Sequence, residues 1–184
     1  MKKPLLLLLI ISSAFMVSSC KKLKEATEQN VSITPNSVEF NIDPIATTNA
    51  VTTIGTINVD IDLNALVKQY AAGFGVNNIK SIKIKSFKID LVNGSDASNN
   101  LANLESLSGE ISATGKSSQA IVNLNSNPDV QATSLTLPSS GDIELKDFVA
   151  GTSVKYTLKG KLRRATTKTL RAKVTAEYAF VFSL

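Results

Sequence analysis

Histidine and tryptophan are absent from the 184 residues, cysteine occurs once, and aromatics make up only 5%. Each absence removes a class of chemistry. Without imidazole there is no commonest general base, no serine–histidine triad and no histidine metal site. A single thiol cannot staple the chain to itself, so the fold has to rest on an apolar core. Glycine-rich phosphate loops are missing too: "GFG" at 73–75 follows a helical stretch instead of opening one, which is the wrong setting for a dinucleotide fingerprint. Carboxylates are what remains. Asp60 and Asp62 lie two apart at the outer face of a strand, and Asp142, Glu144 and Asp147 cluster near a turn. Calcium requires roughly six to eight oxygens, which neither set supplies, so both read as solvated faces. No catalytic residue, metal ligand or cofactor is expected, and an enzyme is the least favoured class.

The lone cysteine has a telling position. Lys2 and Lys3 form a basic start, Leu5 to Val17 form an apolar run broken by Ser12 and Ser13, and small residues lead to Cys20. This is the layout of an export signal. The run falls short of the roughly 20 apolar residues that span a bilayer, so it is expected to be cleaved.

Val17, Ser18, Ser19 and Cys20 resemble the lipobox of bacterial lipoproteins, in which a branched apolar residue and two small residues precede the modified cysteine. The resemblance covers only the signal. It implies that Cys20 is diacylated, exposed by cleavage and usually acylated again with palmitate-type chains, and that the protein is a membrane-anchored lipoprotein of the cell envelope. Buried acyl chains contribute about 0.8 kcal/mol per methylene, so two or three hold far more firmly than one. Some surface-destined lipoproteins carry acidic residues after the cysteine; Lys21, Lys22 and Lys24 stand here. The expected address is the outer membrane, facing the periplasm.

Three segments follow: residues 1–19 as signal, 20–36 as a flexible tether reaching about 50 Å at about 3.3 Å per residue, and 37–184 as one domain. Folding is expected not to need the signal or most of the tether.

Period-two alternation dominates the domain. Val38, Phe40 and Ile42 alternate with polar residues, as do Ile57, Val59, Ile61 and Leu63. "IKSIKIKSFKIDL" alternates with odd spacings from Ile79 to Ile82 and from Ile84 to Phe87, each predicting a bulge. Further strands are predicted at Leu107–Ala113, Ala120–Leu124, Thr133–Leu137 and Gly141–Leu145, with turns at Gly94 to Asn100, Asn125 to Pro128 and Pro138 to Gly141. Val154 to Leu162 and Leu170 to Phe182 alternate most clearly, and "RATTK" between them predicts a long closing hairpin. One stretch has helical spacing: Leu63, Leu66, Val67, Tyr70, Ala71 and Phe74, with Asp62 as N-cap and Gly73 or Gly75 as stop. The predicted fold is mainly β: an antiparallel β-sandwich with layers of the immunoglobulin type and one amphipathic helix near residues 63–73 plugging an open end. A partly open barrel is the alternative.

Charge is unevenly placed. From Gly151 onward Lys155, Lys159, Lys161, Arg163, Arg164, Lys168, Arg171 and Lys173 face Glu177 alone, whereas residues 20–150 hold ten lysines and fourteen carboxylates. Alternation points Lys155, Lys159, Lys161, Arg163, Arg171 and Lys173 away from the core, with Lys80, Lys83, Lys85 and Lys88 as a second stripe. Basic strands defend edges against aggregation, and they also attract anionic lipid or acidic glycan. Nucleic acid is not an expected partner, since few aromatics interleave the charges. Two functions stay open: a non-enzymatic structural or interaction module whose protein partner the residues do not name, and a carrier of lipid or glycan. A pocket lined by residues such as Tyr70, Phe74 and Phe87 would favour the carrier, and a solid core the module.

Overall fold

The computed structural model describes residues 28–184; the signal, Cys20 and residues 21–27 lie outside the described residues. Among the described residues nine strands form: β1 (Glu28–Ile33), β2 (Val38–Ile42), β3 (Val51–Asp60), β4 (Ile79–Asn93), β5 (Leu104–Ala113), β6 (Lys116–Leu124), β7 (Ser134–Leu137), β8 (Ser153–Leu162) and β9 (Leu170–Ser183). Helix α1 (Leu63–Tyr70) follows β3, and a short turn of helix, α2 (Lys146–Val149), precedes β8.

The strands form two antiparallel sheets. In one, β9 lies between β4 and the pair β1 and β2, with β7 beyond β4; the other has the order β3-β8-β5-β6. The fold is therefore the predicted antiparallel β-sandwich. Its core is filled by the inward residues of both sheets: Ile82, Phe87 and Ile89 from β4, Phe180 and Phe182 from β9, Leu107 and Ile111 from β5, and Tyr156, Leu158 and Leu162 from β8 are all buried. Phe180 and Phe182, two residues apart on one face of β9, stack with centroids 5.9 Å apart, and Phe74 tilts onto Phe182 at 5.0 Å.

Both predicted slips in β4 are real. Its register against β9 shifts between Ile79 and Ser81 and between Ile84 and Ser86, and each extra residue returns the next isoleucine or phenylalanine to the core. A third shift, between Leu91 and Asn93, was not foreseen.

Three expectations are corrected. Residues 28–33, read as tether, form β1 and pair with β9 from Ser183 to Tyr178. The short alternation Asn30-Val31-Ser32-Ile33 was the available signal, and Ile33 is wholly buried. Next, β8 and β9 are not a hairpin: they alternate cleanly because each covers one side of the same core, so "RATTK" crosses from one sheet to the other. Finally, Gly141–Leu145 is not a strand. It runs beside β4 through a single backbone bond, from the Leu145 amide to the Ile82 carbonyl, before α2 begins. The Glu144 carboxylate takes over from backbone there, accepting from the Ile82 amide at 2.8 Å and from the Ser81 hydroxyl at 2.5 Å. It thereby satisfies an edge of β4 that short β7 leaves uncovered.

Asp62 caps α1 as predicted, its Oδ1 accepting from the Ala65 amide at 2.9 Å. The helix ends at Tyr70, earlier than 73, and Gly73 with φ +99 carries the chain out of it. At the other pole, buried asparagines close the sandwich. Asn103 donates to the Ser98 and Ala165 carbonyls, Asn99 accepts from the Thr167 amide at 2.7 Å, and Asn127 donates to the Leu101 and Leu104 carbonyls. Each buried amide replaces lost water with a protein partner.

Two predictions follow from the edges. A chain beginning at Glu28 should unfold at the same urea concentration as a longer one, whereas starting at Thr34 removes β1. Ile33→Ala alone should lower unfolding free energy by about 2–4 kcal/mol; an unchanged midpoint for both would return residues 28–33 to the tether. The second concerns Glu144. Burial raises its pKa, but hydrogen bonds from Ser81 and from the Ile82, Lys146 and Leu145 amides outweigh that and hold it below the ordinary 4.5. A depressed carboxylate stabilises the fold above its unfolded value and stops doing so as pH falls through the folded one. The stability gap between wild type and Glu144→Gln, read by urea titration, should be constant above pH 4.5 and shrink below it; a pH-independent gap would contradict the role.

Candidate functional site

The basic residues singled out by sequence are divided by the topology. Lys155, Lys159, Lys161 and Arg163 follow β8 on one sheet's outer face, and Arg171 and Lys173 lie on β9, on the outer face of the other. They point away from the core as alternation required, yet they do not make one stripe. Several also have partners: Lys159 pairs with Glu110 at 2.6 Å, Lys161 with Glu105 at 2.9 Å and Arg171 with Glu39 at 2.6 Å. Arg163 lies 3.8 Å from Asp129 and donates to the Asn127 carbonyl, which ties it to the asparagine-rich pole. Among the described residues, no carboxylate comes within 4 Å of Lys155 or Lys173. The β4 lysines are engaged in the same manner, Lys80 with Glu28, Lys83 with Asp142, Lys85 with Glu177 and Lys88 with Asp90. Across neighbouring strands such pairs contribute tenths of a kcal/mol to about 1 kcal/mol. Of the carboxylates weighed for calcium, the later set is dispersed: Asp142 meets Lys83, Asp147 meets Lys116 and Glu144 caps β4. Among the described residues no group of three or more acidic or thiol side chains is placed to hold a metal ion.

The aromatics named for a pocket also lie elsewhere. Phe87 is fully buried with its ring edge toward Tyr156, Phe74 packs on Phe182, and Tyr70 is exposed, donating its hydroxyl to the Thr34 carbonyl at 3.0 Å. That last bond pins the end of α1 to the loop between β1 and β2.

This loop creates a cleft that sequence reading missed. β1 pairs with β9 as far as Tyr178, and β2 resumes the pairing at Val174. Between them the loop 34–37 leaves the line of the sheet, so Thr175, Ala176 and Glu177 have no strand partner on that edge. Across the gap stands β3, the matching edge of the other sheet. Farther along the seam the edges close together, and a Cβ on Gly55 would lie 2.7 Å from the Phe40 ring. At the gap they part, and a cleft of about 380 Å3 enters between the sheets.

The cleft is graded from mouth to floor. Exposed Asn36, Asn58, Asp60, Asp62 and Gln69 ring the mouth; Val38, Ile57, Val59, Leu66, Val174 and Ala176 form apolar walls. Tyr156 and Tyr178, 3% and 4% exposed, make the floor, and their hydroxyls are hydrogen-bonded to each other. That bond uses one of two hydroxyl protons, and among the described residues no acceptor takes the other. Burial is the main cause that pushes Tyr156 up to about 12 and Tyr178 well above its ordinary value. Both therefore stay protonated and neutral at ordinary pH. Among the described residues, no lysine or arginine lines the cleft. Its walls come from four different strands and a helix, so only the topology assembles them.

No known family model matches the chain, and no curated protein matches it. Among solved structures it is similar over 85% of its length to those of infectious bursal disease virus Gt strain, with TM-score 0.39 at 13% identity, and Gx strain, with 0.37 at 13%. It is similar to the same extent to the VP2 subviral particle of that virus, with TM-score 0.37 at 13% identity. The chain spans about a third of the length of these structures' chains: 33%, 32% and 32% respectively.

Proposed function

We propose that the protein is a lipid-anchored component of the bacterial cell envelope, held to the outer membrane on its periplasmic side through Cys20 and working as an interaction module without chemistry of its own. The observation that carries this reading is the spacing of anchor and fold. The lipobox-like Val17-Ser18-Ser19-Cys20 precedes β1, which begins at Glu28. The intervening chain can span at most about 25–30 Å, half the reach expected of a longer tether. A domain so held stays against its membrane and presents its flanks to whatever lies beside it. Support for a non-catalytic role comes from the carboxylates, most of which are spent on ion pairs, a helix cap and an edge strand.

A second reading, a carrier, is favoured by the cleft between β2 and β3, whose volume and apolar walls fall within the range of small-molecule sites, roughly 300–1,000 Å3.

The anchor is tested by Cys20→Ser, which should leave an uncleaved precursor that labelled palmitate does not mark; equal labelling of variant and wild type would end the lipoprotein reading. The secondary contact with anionic lipid is tested on vesicles. The sheets are about 10 Å apart and attraction fades beyond a Debye length of roughly 8 Å, so only one outer face can engage a bilayer. In the chain from Glu28, Lys159→Gln with Lys161→Gln, or Arg171→Gln with Lys173→Gln, should weaken binding to anionic vesicles at low salt, but not both pairs alike. Equal losses would mean that net charge alone is felt.

A further inference from the structure

We propose that the cleft between β2 and β3 binds an uncharged, largely apolar molecule that carries an oxygen acceptor at its buried end, of the kind offered by the carbonyl of a ketone, ester or amide. This rests on the carrier reading and names its ligand class. Three observations converge on it. The floor holds two buried hydroxyls that share one hydrogen bond, which leaves one O–H to donate toward the cleft. A buried donor without an acceptor costs about 1–3 kcal/mol, so an arriving oxygen relieves a standing penalty. The wall side chains between floor and mouth are aliphatic and offer no hydrogen bond, which disfavours a sugar ring with hydroxyls on every side.

The mouth supplies the third constraint, charge. Asp60 and Asp62 stand there, and among the described residues no basic side chain joins the lining. A carboxylate entering the cleft would pass two like charges and find no cation inside, so fatty acid anions and acidic glycans are disfavoured. The cleft and the outward basic strands are separate surfaces, and the anionic partner expected of the strands is a different one from the ligand of the cleft. Entry needs no rearrangement of a strand. The gap at Thr175–Glu177 is already open, and Tyr70 holds its loop in place through Thr34.

The experiment uses the anchored protein in nanodiscs of neutral phosphatidylcholine, with empty nanodiscs as blank and circular dichroism to confirm that each variant is folded. Equilibrium dialysis measures three probes: 2-octanone, octanoate and maltose. Infrared spectroscopy follows the ketone stretch, which falls in frequency when the oxygen accepts a hydrogen bond. Saturable binding of 2-octanone with a lowered stretch is expected. Tyr156→Phe with Tyr178→Phe, which removes both hydroxyls and little volume, should abolish the shift and weaken binding about three- to tenfold. Either single variant keeps one O–H and should keep the shift. Val38→Trp, which fills the cleft without touching its floor, should abolish binding and serves if the double variant does not fold. Ketone binding that survives Val38→Trp, or an unshifted stretch in wild type, overturns the proposal. Octanoate or maltose binding in place of the ketone, and lost in Val38→Trp, would overturn this ligand class and leave the carrier reading standing; binding of none of the three would remove both.

Discussion

Everything in the first sheet hangs on β9. Fourteen residues keep strict alternation from Leu170 to Ser183, and that one strand pairs with β4 along its length on one side and with β2 and then β1 on the other. Its inward side chains, Leu170, Ala172, Val174, Tyr178, Phe180 and Phe182, are all buried. Because side chains alternate with period two, a slip of one residue would turn this whole row to solvent and the outward Arg171 and Lys173 to the core. Registry in three pairings is thus set by one pattern. The bulges of β4 then read as adjustments of a less regular strand to a rigid partner.

Legibility in the sequence tracked how local each interaction is. Strand alternation, the β4 slips and the Asp62 cap depend on residues close in the chain, and each was visible. Pairing partners were not, because alternation tells which face is dry and not which sheet owns the strand: Val154–Leu162 and Leu170–Phe182 looked like a hairpin and sit in opposite layers. β1 was overlooked for its length and its polar flank, where only Val31 and Ile33 mark the dry side. The asparagines at 99 and 100 carried the composition of a turn, and the hydrogen-bond partners of buried Asn99 and Asn103 include Thr167 and Ala165, far away in sequence. The cleft has no local signature at all. Its position follows from where two strands stop and restart along a third.

The outward charges acquire a different meaning once the sheets are seen. A run of eight cations in the last fifth of the chain looks like a field of one sign, but the carboxylates of the earlier strands are brought beside it by pairing: Glu105 and Glu110 come from β5, and Glu39 from β2. Net charge read along a β-chain overstates local potential whenever antiparallel neighbours carry the opposite sign. The exposed flanks are mosaics, which also protects edge strands from like copies of themselves.

β1 also has a mechanical meaning. Any tension transmitted along the chain from residue 27 enters the fold at Glu28, at one corner of a six-residue edge strand whose hydrogen bonds to β9 lie across its axis. A pull along that axis loads all the bonds of the pair together, while a pull at right angles peels them singly from Glu28 toward Ile33. The strand is therefore stiff or yielding according to the direction of the force. Wholly buried Ile33 is the last point to give way before the edge of the sandwich opens beside the cleft.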